Sequence, residues 1–213
     1  MDYNRKYPSN TKISNDNTAS MSYVRVLHAV PDAPNVDVYA NDKLIASNLS
    51  YGEYTDYIPI NPGTYEITLF KAGSDDLPVL MNIFNVPLNS IYTIAAVGTL
   101  SNLGFLAIVD ANMQSDPKKA MIRFAHLSPN APAVDITLPN GTVLFGNVSY
   151  KQLTPYISVA PMNYTLQVRL AGTPTVVLTV PNVKLDANKF YTVYAIGLVG
   201  KTPELEALLL TDK

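Results

Sequence analysis

The stretch Arg25–Tyr39, RVLHAVPDAPNVDVY, returns as Arg123–Thr137, RFAHLSPNAPAVDIT. The chain holds only two histidines, and His28 and His126 fall at the same place in the two phrases. Arg25 stands over Arg123, Pro31 over Pro129 and Pro34 over Pro132. Val36 and Asp37 stand over Val134 and Asp135. The match runs on after one residue is gained in the turn LPNGT. Asn48 meets Asn147, Tyr51 meets Tyr150 and Tyr57 meets Tyr156. Tyr65 then meets Tyr164, Gly73 meets Gly172, Tyr92 meets Tyr191 and Gly98 meets Gly197. Each copy closes on an apolar run, GFLAIVD in the first and ELEALLLTD in the second.

A period of about 100 residues is too long for a solenoid unit, so each copy is read as a domain. The boundaries expected are 22–110 and 120–213, joined by a polar, proline-bearing linker over 111–119. Residues 1–21 are Asn-, Ser- and Thr-rich and are expected to form a flexible tail. The first residues hold no apolar segment of the secretory type, and no run of about 20 apolar residues is present to span a membrane as a helix.

With 213 residues and 47% hydrophobic content, the chain can bury a core. Charged residues are 15% and the net charge is −2. No basic stripe points to nucleic acid. The absence of cysteine excludes disulfides, thiolate metal sites and cysteine nucleophiles.

The periodicity is that of strands. YVRVLHA sets Val24, Val26 and His28 on one face, with Arg25 and Leu27 on the other. NVDVYA and TYEITLF alternate in the same way. IYTIAAVG is almost continuously apolar, as a central strand covered on both faces would be. Turn residues separate the runs, in PDAP, NPG and GSDD of the first copy and SPNAP and PNG of the second. The fold class expected is all-β. It is two tandem Ig-like or prealbumin-like antiparallel β-sandwich domains related by internal duplication, each of about seven strands.

Two functional readings of the histidines compete. A catalytic metal site draws about three ligands from His, Asp and Glu, and each copy keeps only one His with one Asp beside it. A serine nucleophile would need an elbow that neither Ser50 nor Ser149 has. The structural reading is a clasp. Pro31 and Pro34 supply no N–H, and an imidazole that both donates and accepts can satisfy the groups such a turn leaves unpaired. Arg25 and Asp37, and again Arg123 and Asp135, have the parity to meet if their strands are neighbours. These six residues are therefore read as structural, with no catalytic, cofactor or metal ligand among them. Tyr39, Tyr54 and Tyr194 have no tyrosine opposite them in the other copy. They are read as possible surface contacts. Asp75 and Asp76 of GSDD could face calcium, but the second copy has no acid there, which favours a solvated hairpin tip.

The run R-x-x-H-x-x-P-x-A-P-x-V-D, followed by PGTY and YT…G, resembles the bacterial family DUF4397. The resemblance covers both copies, with PMNY in place of PGTY in the second. It implies tandem β-sandwich repeats on secreted or envelope proteins, and no catalytic residues. The function expected is a non-enzymatic structural or interaction module of a bacterial cell envelope, spore coat or extracellular assembly. It would be without cofactor, with a protein or polysaccharide partner. A carbohydrate-binding protein and a hydrolase with a site shared between the domains are the alternatives.

Overall fold

A computed structural model describes residues 21–74, 76–114 and 116–213. Residues 1–20 of the tail expected over 1–21 and the candidate calcium ligand Asp75 lie outside the described residues. The first half runs β1 (Ser22–His28), β2 (Val36–Ala40), β3 (Lys43–Leu49), β4 (Ile58–Ile60), β5 (Gly63–Lys71), β6 (Leu80–Val86), β7 (Ile91–Thr99) and β8 (Asn102–Val109). The second runs β9 (Ala120–His126), β10 (Val134–Thr137), β11 (Val143–Val148), β12 (Ile157–Val159), β13 (Met162–Leu170), β14 (Val176–Leu185), β15 (Lys189–Ile196) and β16 (Glu206–Thr211). Each half therefore has eight strands rather than about seven. No helix occurs among the described residues, and none is long and apolar enough to cross a membrane.

The strand order repeats. One sheet of the first half is β4-β1-β7-β8 and the other is β3-β2-β5-β6. In the second half they are β12-β9-β15-β16 and β11-β10-β13-β14. Pairing is antiparallel except for β1 with β7 and β9 with β15, which are parallel. The exception follows from the prolines. At Pro31 and Pro34 the chain leaves the first sheet and crosses to the other as β2. It touches β1 briefly as the short antiparallel β4, goes back to complete the outer sheet as β5 and β6, and only then runs alongside β1 in the same direction as β7. A long crossover is what a parallel pair requires.

That crossing corrects one expectation. Arg25 lies on β1 and Asp37 on β2, and these strands belong to different sheets. The two side chains do not meet, and neither do Arg123 and Asp135.

The four sheets stack as four layers. Val24 and Val26 of β1 pack with Val36 and Val38 of β2 and Ile67 and Leu69 of β5, forming the core of the first sandwich. Ile122 and Phe124 pack with Val134, Ile136, Leu166 and Val168 in the second. A third cluster lies between the halves. It joins Leu27, Ala95 and Ile108 to Ala125, Leu127, Tyr194, Ile196 and Leu210. The sheets carrying β1 and β9 thus form the two inner layers, buried on both faces, and those carrying β2 and β10 the outer ones. Core burial at roughly 25 cal/mol per Å² of apolar surface drives this stacking, and the inner layers draw on it twice.

Candidate functional site

The two kept arginines meet two kept aspartates in the seam between the inner sheets. Arg25 points away from Val24 and Val26 into that seam. Its Nη2 reaches Asp212 Oδ1 at 2.9 Å and its Nη1 donates to the Thr211 carbonyl at 3.0 Å. Arg123 does the reverse, with Nη2 on Asp110 Oδ1 at 2.5 Å and Nη1 on the Val109 carbonyl at 2.7 Å. Each arginine therefore grips the end of the last strand of the other half. Each aspartate is held from its own half as well. Asp110 Oδ2 accepts from Thr93 at 2.6 Å and from Tyr57 at 2.8 Å. Asp212 Oδ2 accepts from Thr192 at 2.6 Å and from Tyr156 at 2.7 Å. The guanidinium carbons lie 4.5 Å from the ring centroid of Tyr57 and 4.4 Å from that of Tyr156, a cation–π geometry.

The arginine side chains are 3% exposed and the aspartates 0%. Two positive and two negative groups neutralise one another, and the hydroxyls fill the remaining lone pairs. A buried ion cluster requires both conditions. Burial holds Asp110 above the usual carboxylate range, and the Asp212 charge adds to it, against the pull of Thr93 and the two arginines. Burial, then the Asp110 charge, raises the Tyr194 hydroxyl to about 12. Tyr57 and Tyr156 are pushed up for the same reasons, with Asp212 acting on Tyr156. They stay protonated donors. The charged groups are nearly closed to solvent, and their bonds tie one half to the other.

The motif histidines face the other way, into the sandwiches. His28 is 1% exposed and His126 0%. His28 Nε2 lies 3.2 Å from the Pro34 carbonyl, and its Nδ1 accepts the Val30 N–H at 3.3 Å. His126 Nε2 lies 3.1 Å from the Pro132 carbonyl, while its Nδ1 is buried without a partner. The Nε2 hydrogen must in each case be the one donated, because a carbonyl only accepts. Burial lowers the proton affinity of both rings.

Asp37 and Asp135 tie turns at the outer sheets. Asp37 accepts the Asn48 N–H at 2.7 Å and the Gly73 N–H at 2.9 Å, and Asp135 accepts those of Asn147 at 2.6 Å and Gly172 at 2.9 Å. Asn48 and Asn147 both have φ of 53°, the left-handed region that asparagine tolerates. The two amide bonds hold Asp37 below the usual carboxylate range. Among the described residues, no group of three or more His, Cys, Asp or Glu is placed to hold a metal ion.

A family model described as a domain of unknown function, DUF4397, matches residues 22–137 and 138–213. The chain belongs to the DUF4397 family. No curated protein matches it. Among solved structures, the DUF4397 chain is similar to the C-terminal domain of AlgF from P. aeruginosa, at 18% identity and a TM-score of 0.35. That alignment covers 44% of this chain and 98% of that one. It is also similar to the CBM26 domain of Eubacterium rectale Amy13K, solved with maltoheptaose, at 8% identity and a TM-score of 0.29, covering 88% and 96%. The Bacillus anthracis TIE protein aligns at 11% identity and a TM-score of 0.26, over 87% of this chain and 34% of that one.

The three tyrosines expected at the surface separate. Tyr194 is 0% exposed and corrects its expectation. Strand register puts it opposite Ala125, as Ala95 is opposite Leu27, so its ring fills the seam. Tyr54 is 45% exposed. Tyr39 is half-buried on the outer face of β2, edge-on to Phe70 with ring centroids 5.5 Å apart. With Asn41, Glu66, Thr68 and Met81 these rings line a depression of about 310 Å³. The second half of the DUF4397 chain has Thr137, Gln167 and Arg169 in the corresponding register. The residues that sequence reasoning missed are Asp110, Asp212, Thr93 and Thr192. A signal existed, since both copies place an Asp directly after their last strand and both carry Tyr-Thr at the start of the long apolar strand.

Proposed function

We propose that this chain is a non-enzymatic structural and interaction module of a bacterial cell envelope, spore coat or extracellular assembly. One observation carries the reading. The ionisable residues common to both halves are spent on architecture: Arg25, Arg123, Asp110 and Asp212 join the halves inside the seam, and the histidines and Asp37 and Asp135 hold turns. What remains for recognition is surface. The family membership supports the tandem organisation. Fractionation of cells and spores, with protease shaving of intact cells, tests the setting. Recovery wholly in the cytosol, protected from shaving, refutes it.

A carbohydrate-binding reading is favoured by one feature, the Tyr39 and Phe70 rings flanked by Asn41, Glu66 and Thr68. Aromatic faces with amide and carboxylate groups beside them suit the apolar and hydroxyl-bearing faces of a sugar. A glycan array tests it, and binding unaffected by Tyr39→Ala would rule out this face.

A further inference from the structure

We propose that β6 is an assembly edge, at which two copies of this chain join antiparallel to continue the outer sheet of the first half from one molecule into the next. β6 is the last strand of the sheet β3-β2-β5-β6. Sheet edges offer unpaired backbone groups, and natural proteins normally blunt them with proline, lysine or a bulge. The second half does so. Its corresponding edge, β14, carries Pro181 and Lys184. Its register against β13 shifts between Tyr164 and Leu166, and Asn182 has a φ of 59°. β6 has none of these devices. It reads LMNIFNV and pairs with β5 over seven consecutive positions, from Gly63 with Val86 to Leu69 with Leu80, without a shift.

The open side can be located by residue. The Ile83 N–H takes the side-chain oxygen of its neighbour Asn82 at 2.8 Å. It therefore points away from β5. Alternation along the strand puts the N–H and C=O of Met81 and Asn85 on the same open side. The side chains of these three residues share the solvent face. Met81 is 55% exposed and Ile83 64%, with Leu77 at 81% beside them. A local side-chain bond of this kind is a stand-in that an incoming strand can replace.

The occupant follows from the charge pattern. Residues 77–90, LPVLMNIFNVPLNS, contain no charged side chain. A partner chosen by charge would need a complementary group there, whereas two identical neutral edges meet without opposition across a twofold axis. Pairing centred on Ile83 sets Leu80 opposite Val86, Met81 opposite Asn85 and Asn82 opposite Phe84. It also gives each outward Ile83 N–H the carbonyl of its twin. The outer sheet is the place for this addition because its far face is free, while the inner sheets lie between other layers. The edge pairs two chains in whatever compartment holds them, so its failure leaves the envelope reading untouched.

The test is the mass of the full chain by sedimentation and light scattering, from about 1 to about 500 μM. The expected result is a rise from one chain toward two, with amide exchange at Met81, Ile83 and Asn85 slowing as concentration rises. Ile83→Lys should weaken the dimer about tenfold or more. Ile83→Pro should do the same by removing the outward N–H while leaving the bonds to β5. Circular dichroism identifies any variant that has failed to fold, and Ile83→Lys, at an exposed position, then decides. Thr179→Lys, at an exposed position on β14, should leave the dimer unchanged. A single-chain mass at the highest concentration overturns the proposal. So does a dimer that survives both Ile83 variants, or capture of a different strand in place of the twin.

Discussion

Replacing Arg25 by Met removes one guanidinium from the seam and leaves Asp212 buried with its Oδ1 partner gone. The Thr93 hydroxyl loses the two bonds it accepts from Nε and Nη2, and the Thr211 carbonyl loses a third. Breaking a buried pair from one side costs about 3–5 kcal/mol, because the remaining charge keeps its desolvation penalty. That is a large share of the roughly 5–15 kcal/mol that holds a domain folded. Adding Asp212→Asn withdraws the stranded charge, and its amide oxygen can still accept from Thr192 and Tyr156. The double variant should therefore be less destabilised than the sum of the two single ones, by about 1–3 kcal/mol. The chain has no tryptophan and 14 tyrosines, so urea unfolding is best followed by tyrosine fluorescence with circular dichroism. If Arg25→Met lies within about 1 kcal/mol of wild type, or the three variants are additive, the seam is not the joint described.

The other predictions concern the clasps and the face. His28→Ala should cost about 1–3 kcal/mol by leaving the Pro34 carbonyl and the Val30 N–H unpaired, and His28→Gln should cost less, as measured by thermal unfolding. EDTA should change neither melting curve; stabilisation by added metal, lost in the His28 variants, would contradict the clasp. Burial lowers the folded pKa of His28 and His126 below the unfolded value of about 6.5. Between those values the unfolded chain binds more protons, so the contribution is full above about pH 6.5 and is lost as pH falls through the folded pKa. The slope for two groups is at most about 2.7 kcal/mol per pH unit. Urea midpoints between pH 7.5 and 5.5 should fall accordingly, and His28→Gln with His126→Gln should flatten the fall; an unchanged slope in that variant would assign it to other groups. Tyr39→Ala should abolish glycan retention on an array, if retention is seen, while shifting the melting temperature little.

Sequence periodicity reveals which face a side chain is on, but not what covers that face. The duplication, the strands and the proline crossings are local, and they are legible in the two phrases around His28 and His126. The histidine bonds are local too, six residues from ring to carbonyl. The seam is different. Arg25 and Asp212 are 187 residues apart in the chain, and nothing in alternation alone relates them. Arg25 has the parity of an exposed residue in an ordinary two-layer sandwich, so an exposed partner on the next strand is the natural expectation. The clue lay in its neighbours. Leu27 and Ala29 share the face of Arg25, and a solvent face seldom runs from a lone arginine into two successive apolar side chains.

Divergence between the copies carries information of the same limited kind. Tyr39 and Thr137 differ on outer sheets, away from the seam, so each half can change there without disturbing the joint, even though Thr137 is itself buried. Tyr194 and Ala95 also differ, yet both lie in the seam. Two halves joined by reciprocal contacts need not fill the space between them symmetrically. A large residue on one side and a small one on the other occupy the same volume as two of middle size, and dense packing asks only that the sum be right. Fusion into one chain makes that asymmetry available, because the halves no longer have to be identical. The arginines and aspartates do not share this freedom. Each arginine needs an opposite charge from the other half, and a change on one side strands a buried ion on the other. The seam thus keeps its charges in matching pairs while its apolar filling diverges. An unmatched residue belongs to the surface only where its neighbours leave a face uncovered.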